Sequence, residues 1–110
     1  LGRWSKQGVL MLNSALTTEV TKTGKHVEQW KPFMEYLLDM LNFQQSGLVW
    51  GLMGKQAQSY ESLIGDHHHV LKSTHPAYAA YMKQSKWDCN DIFNKINQQL
   101  ADNKKEKIRW

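Results

Sequence analysis

The sequence has few of the features that mark secreted, fibrous or membrane-spanning proteins. It contains one cysteine, Cys89, among 110 residues, so no internal disulfide can form and a disulfide scaffold is excluded. Because a lone thiol is typical of a reducing compartment, we expect an intracellular, cytoplasmic location. No apolar run approaches the roughly 20 residues that a spanning helix needs, and the first residues show no signal-peptide pattern. We therefore expect no membrane partner.

The composition is that of one small globular domain with a modest core, since 41% of residues are hydrophobic and 22% are charged. The formal net charge of +4 favours a polyanionic partner such as nucleic acid. This indication is weak, because many proteins that bind no nucleic acid carry as much charge.

Short apolar runs alternate with helical patterns along the chain. Buried strands are predicted at 8–13, 47–53 and 69–73. Helices are predicted at 26–42, at about 56–63 and at about 88–100. This alternation predicts an α/β fold in which three strands of a parallel sheet have helices on both faces.

In such sheets, ligands bind beyond the carboxyl ends of the strands. Asn13, Gly54 and the segment 73–76 would all lie there. Strand order alone therefore predicts a site at this edge, although three strands make an incomplete domain.

Several motifs carry a more specific signal. The segments are WSKQGVLMLN at 4–13, GKQAQ at 54–58 and HHVLKSTHP at 68–76, followed by CN at 89–90 and IRW at 108–110. In order and spacing they resemble the family 1 uracil-DNA glycosylases over nearly the whole chain. The resemblance also takes in Thr17, His26 and Trp30.

The resemblance implies an enzyme that flips uracil out of DNA and hydrolyses its N-glycosidic bond in base excision repair, with no metal or organic cofactor. The implied partners are uracil-containing DNA, free uracil, and a protein inhibitor or replication partner. The protein is expected to be a monomer, and a viral member would work in the host nucleus.

The family's Gly-Gln-Asp-Pro-Tyr-His motif, which carries the water-positioning aspartate, is absent from the chain, as is the phenylalanine that stacks on uracil. We therefore expect residues 1–110 to form the C-terminal part of a single glycosylase-like domain whose N-terminal half is absent. The alternative is a catalytically inactive, glycosylase-like module that binds DNA or a replication partner.

Two residues match the family's uracil-handling groups. Asn13 corresponds to the asparagine whose amide pairs with the uracil edge, and His75 corresponds to the catalytic histidine. From the residues alone, a turn-forming asparagine and a structural histidine in a His-Pro turn are the commoner interpretations. The resemblance favours base recognition by Asn13 and catalysis by His75.

Phosphate contacts in this family come from backbone amides and small hydroxyl groups. Lys55 replaces the usual serine after glycine, and Ala77 replaces the serine after His-Pro. Lys55, Lys72 and Lys83 are the expected charged DNA contacts, with Ala77 beside them.

The family's wedge leucine, which enters the base stack, is replaced by Ala79, which is too small for that role. Tyr78, Tyr81 or Met82 could take over as the wedge, since aromatic and apolar side chains fill such gaps in other DNA-bending proteins. The two tyrosines fit ordinary packing equally well, so the wedge assignment stays open, with Tyr78 and Tyr81 as predicted DNA contacts.

The run His67, His68 and His69 does not predict a metal site. Consecutive residues of a strand point to opposite faces, and no cysteine or carboxylate lies at ligand spacing. A structural role is expected for His68 and His69.

Overall fold

The computed structural model describes residues 1–44, 47–77 and 89–110. Within them, two parallel strands pair, β1 at Val49–Met53 and β2 at His69–Ser73. Val49 lies opposite His69, and Met53 lies opposite Ser73. The predicted α/β class with a parallel sheet is confirmed, and β2 begins and ends at the predicted residues.

The helices of the described residues are α1, α2, α3 and α4, at Gly2–Ser5, Val27–Gln44, Lys55–Gln58 and Ile92–Asp102, with a 3-10 turn at Glu61–Leu63. Helix α4 begins later than predicted because Asn90 and Asp91 have φ angles of 52° and 54°, which a right-handed helix does not allow. None of the helices in these ranges is long and apolar enough to cross a bilayer.

Helices pack on both faces of the sheet, as predicted. Trp50 packs against a buried cluster formed by Met34 and Leu38 of α2 together with Tyr60. A Cβ atom added to the next residue, Gly51, would meet Ile96 Cδ1 of α4 at 3.4 Å. Because neighbouring strand residues point to opposite faces, α2 and α4 cover opposite faces of β1.

The strand predicted at 8–13 is wrong for this structure, since no third strand forms among the described residues. An apolar run becomes a strand only where a neighbouring strand pairs with its backbone. Here residues 9–13 line a large cavity that separates them from β1. Leu10 and Met11 stay 66% and 53% exposed, so the apolar pattern is present but its pairing partner is not.

Candidate active site

The structure brings Asn13 and His75 to one cavity of about 1000 Å³. Asn13 ends the apolar segment that forms one wall, and His75 follows β2 by two residues. Both residues are exposed, as groups that contact a ligand must be. The two residues that the resemblance assigns to uracil therefore share one surface.

The imidazole of His75 is held in a defined orientation. Its Nδ1 atom accepts a hydrogen bond from the backbone N–H of Ala77 at 3.0 Å. A ring nitrogen that accepts a hydrogen bond carries no proton, so the neutral ring holds its proton on Nε2. His75 can therefore present an N–H donor to a ligand.

Gly54 allows His75 to approach the end of β1. Its φ and ψ of 92° and 164° lie in a region that only glycine occupies readily. A Cβ atom at this position would lie 2.9 Å from the Cβ atom of His75. Glycine is thus required here both by the backbone conformation and by the space left for His75.

The ends of the two strands are tied together at Ser73. The Ser73 carbonyl accepts hydrogen bonds from the Gly54 N–H and from Gln58 Nε2, each at 2.9 Å. These bonds fix the turn from β1 into α3 against the last residue of β2. The segment that leads to His75 therefore starts from a fixed point.

Lys55 lies beside His75, where a phosphate contact was expected. A second cavity, of about 540 Å³, is lined by Gly54, Lys55, Gln58, Thr74 and His75. Lys55 is exposed and forms no ion pair among the described residues. Its ammonium group is free to bind an anion next to the proposed donor.

The other predicted DNA contacts are placed differently. Lys72 Nζ pairs with Glu61 Oε2 at 2.8 Å and lines neither of the two cavities. The Ala77 N–H is already engaged by His75, so a phosphate would have to compete for it. Tyr78, Tyr81 and Lys83 lie outside the described residues, as do the third wedge candidate, Met82, and Ala79 at the wedge position.

Of the three consecutive histidines, His68 is the one held in the interior. His68 is buried, at 6% exposure, and its Nδ1 accepts a hydrogen bond from the Leu48 N–H at 3.0 Å. Burial lowers the pKa of His68, and the nearby His67, His69 and Lys105 lower it further. No group of three metal-ligating residues was found in the part of the chain that the structure describes.

A hydrogen-bonded trio anchors the chain just beyond Asn13. Thr17 Oγ1 lies 2.9 Å from His26 Nδ1 and accepts a hydrogen bond from Trp30 Nε1 at 2.8 Å. The family resemblance includes these three residues but assigns them no role. Their spacing of 9 and 13 residues follows no helix or strand period, so the sequence pattern does not reveal the contact.

A second anchor lies before the apolar segment. Gln7 Oε1 accepts from the Arg109 N–H at 2.8 Å, and Gln7 Nε2 donates to the Arg109 carbonyl at 3.1 Å. Nearby, the rings of Trp4 and Trp110 meet edge to face with centroids 5.5 Å apart. These contacts span over 100 residues of sequence, beyond the reach of any local pattern.

Comparisons with known proteins agree with this architecture. Residues 1–101 match the model of the uracil DNA glycosylase superfamily. The whole chain aligns with uracil-DNA glycosylases from Pseudomonas paraeruginosa at 38% identity, covering 48% of that protein, and from Acinetobacter baumannii at 37%, covering 47%.

Solved structures give the same result. A crystal structure of a mimivirus UNG variant in complex with UGI superposes on the whole chain with a TM-score of 0.84 and 27% identity, over 46% of its own length. The chain belongs to the uracil DNA glycosylase superfamily. It spans about half the length of the curated relatives that it matches.

Proposed function

We propose that this chain supplies the uracil-recognition and leaving-group-stabilising part of a uracil-DNA glycosylase that hydrolyses the N-glycosidic bond of deoxyuridine in DNA. The observation that carries the proposal is the placement of Asn13 and His75 on one cavity, with the Nε2 proton of His75 fixed by Ala77. Family membership supports the same reading.

Asn13 has the chemistry to select uracil. A side-chain amide offers one donor and one acceptor side by side, which complements the O4 acceptor and N3–H donor of uracil. Cytosine presents the reverse pattern and would leave buried polar groups unpaired, at a cost of about 1–3 kcal/mol for each group. Discrimination of this kind exceeds what packing alone achieves.

His75 has the chemistry to stabilise the leaving group. When the bond between C1′ and N1 breaks, its electron pair stays with uracil, and the negative charge is shared with O2. An N–H donor aimed at O2 stabilises this charge as it develops. The Ala77 contact orients the ring before substrate binds, so little reorganisation is needed during the reaction.

Lys55 is the proposed phosphate contact closest to the chemistry, because it lines the same small cavity as His75. A phosphate held there would place the flipped nucleotide near the donor. Lys72, Ala77, Tyr78, Tyr81 and Lys83 remain proposed DNA contacts. We also propose that the protein works inside the cell as a monomer and that a protein inhibitor or replication partner binds it; the UGI complex of the mimivirus UNG variant supports the inhibitor.

The water that attacks C1′ must lose a proton to a base, and we propose that this group is an aspartate from the half of the relatives that this chain does not match. The alternative is a glycosylase-like module that binds DNA or a replication partner without cutting, and it is favoured by Lys55, Ala77 and Ala79, which stand where the family has two serines and the wedge leucine.

The test is release of free uracil from a uracil-containing oligonucleotide by the protein that carries this chain. His75→Ala should reduce release by about 100-fold or more, the effect of removing one oxyanion donor. His67→Ala is the matched control, because His67 is exposed and lines neither cavity. Absence of release from a folded protein that still binds DNA would leave the binding module as the function.

A further inference from the structure

The outer face of α2 carries a stripe of large, exposed apolar side chains. Tyr36, Met40 and Phe43 are 65%, 39% and 90% exposed. They are spaced at i, i+4 and i+7, so at about 3.6 residues per turn their side chains lie within about 60° of one another on the helix surface. Neighbouring apolar side chains of this kind mark an interaction site, whereas exposed apolar residues scattered singly do not. These three residues form the α2 stripe.

The α2 stripe points away from the proposed uracil site. The side chains of α2 that line the large cavity are Val27, Met34, Leu38 and Leu41. At about 100° per residue, the α2 stripe lies about 160° around the helix from the middle of this cavity-lining set. The stripe residues line neither of the two cavities. The α2 stripe is therefore a separate surface, on the opposite side of the helix from the large cavity.

A row of carboxylates runs along one flank of the α2 stripe. Glu28, Glu35 and Asp39 are exposed and are spaced at i, i+7 and i+11, which places them along one line of the helix. None of the three forms an ion pair with any residue that the structure describes. The helix has one basic residue, Lys31. This face is therefore locally acidic, although the chain has a formal net charge of +4.

The charge of this row limits what can cover the α2 stripe. The phosphates of DNA would be repelled by the carboxylates, and α2 of a second copy would bring the same three carboxylates. A partner with positive charge beside an apolar row is attracted, because complementary charges speed association and like charges at an interface disfavour it. An apolar stripe flanked by lysine or arginine side chains is what a basic amphipathic helix presents.

We propose that the outer face of α2 is a docking surface for a partner protein that presents a basic amphipathic helix. The apolar side chains of the partner helix pack on the α2 stripe, and its lysine or arginine side chains meet the row of carboxylates. Aromatic side chains and methionine, which make up the stripe, are enriched at protein–protein interfaces. Because this binding requires neither uracil nor DNA, it is independent of the proposed function.

The probe is a synthetic peptide of about 18 residues, long enough to form a helix, with leucines along one stripe and lysines along one flank. The matched control peptide carries glutamates in place of the lysines. Binding of each fluorescently labelled peptide to the protein that carries this chain is measured by anisotropy at low and at high salt. We expect the lysine peptide to bind about tenfold more tightly than the glutamate peptide, and to lose affinity as salt screens the charge pairs.

Two variants test the two parts of this surface. Phe43→Ser removes the most exposed side chain of the α2 stripe and should weaken binding of the lysine peptide about tenfold. Its matched control, Val20→Ser, removes a similarly exposed apolar side chain outside α2 and should leave binding unchanged. Asp39→Lys reverses one charge of the row, so it should weaken binding of the lysine peptide and strengthen binding of the glutamate peptide. Its matched control, Asp102→Lys, makes the same change at an exposed position of α4, on the other face of the sheet, and should do neither.

Hydroxyl-radical footprinting locates the bound peptide. Tyr36, Met40 and Phe43 should be oxidised in the free protein and protected when the lysine peptide binds. The inference is overturned if the folded protein does not bind the lysine peptide, if the two peptides bind alike, or if Phe43→Ser and Asp39→Lys both bind it like the parent protein. Protection of the three side chains without peptide would also overturn it. Such protection at every protein concentration would assign the α2 stripe to the rest of the same polypeptide, and protection only at high concentration would assign it to a second copy.

Discussion

The contact between Gly54 and His75 gives the most direct test of how the backbone positions the proposed donor. In Gly54→Ala, the new Cβ atom would lie 2.9 Å from the Cβ atom of His75, whereas carbon atoms normally approach to about 3.5–4.0 Å. His75 must therefore move by about 0.5–1 Å. The backbone must also keep a conformation of φ 92° and ψ 164°, which costs a non-glycine residue about 1–3 kcal/mol.

These two effects predict separate measurable losses. The backbone cost should lower the melting temperature by about 10 °C, since 1 kcal/mol corresponds to about 4–8 °C in a domain near this size. The displacement of His75 should lower uracil release by about 10- to 100-fold, because a misplacement of about 1 Å can cost about 100-fold. The first loss is measured by thermal unfolding, and the second by release from a uracil-containing oligonucleotide.

Gly8→Ala is the matched control. Gly8 has a φ angle of 91°, close to that of Gly54, but a Cβ atom added there has no neighbour within 4 Å. It should therefore lose stability without a comparable loss of activity. Equal losses of uracil release in the two variants would refute the reasoning that Gly54 acts through its close approach to His75.

Two further predictions concern pH and salt. Burial lowers the pKa of His68 in the folded chain, so as pH falls the imidazole binds a proton in the unfolded chain before it does so in the folded chain. The free energy of unfolding should therefore be highest above about pH 6.5 and decrease as pH falls through the folded-state pKa. Urea unfolding at about pH 8 and pH 5 measures this change. His68→Asn, which can still accept from the Leu48 N–H, should make the free energy of unfolding depend less on pH. An unchanged pH dependence in this variant would contradict the prediction. Lys55→Gln should reduce the salt dependence of DNA binding by about one counterion, whereas Lys72→Gln, which removes a lysine already paired with Glu61, should change it less; equal changes would argue against the free ammonium of Lys55.

Two elements were predictable from the sequence. Helix α2 has a clear helical period and strand β2 is a short apolar run, and the structure places both within two residues of the predicted bounds. The start of α4 was not predictable, because the left-handed conformations of Asn90 and Asp91 leave no periodic trace. The strand expected at 8–13 has the right pattern, but pairing depends on a partner that the pattern cannot supply.

The candidate site was likewise predictable only in part. Asn13 and His75 were found through motifs, and the structure places them on one cavity. The environment of His75 could not be read from the sequence, because the Ala77 hydrogen bond and the Gly54 approach depend on backbone angles. From the sequence, Lys55 and Lys72 are equivalent. In the structure, Lys72 pairs with Glu61, whereas Lys55 has no ion pair with any residue that the structure describes.

Strand β2 is bracketed by two imidazoles with the same bonding pattern. His68, just before the strand, accepts from the Leu48 N–H, and His75, just after it, accepts from the Ala77 N–H, each through Nδ1 at 3.0 Å. Both neutral rings therefore carry their proton on Nε2, a state that nitrogen NMR distinguishes from the other tautomer. One spectrum of the ¹⁵N-labelled chain can thus report on both ends of this strand at once, and it can do so with no substrate or mutation.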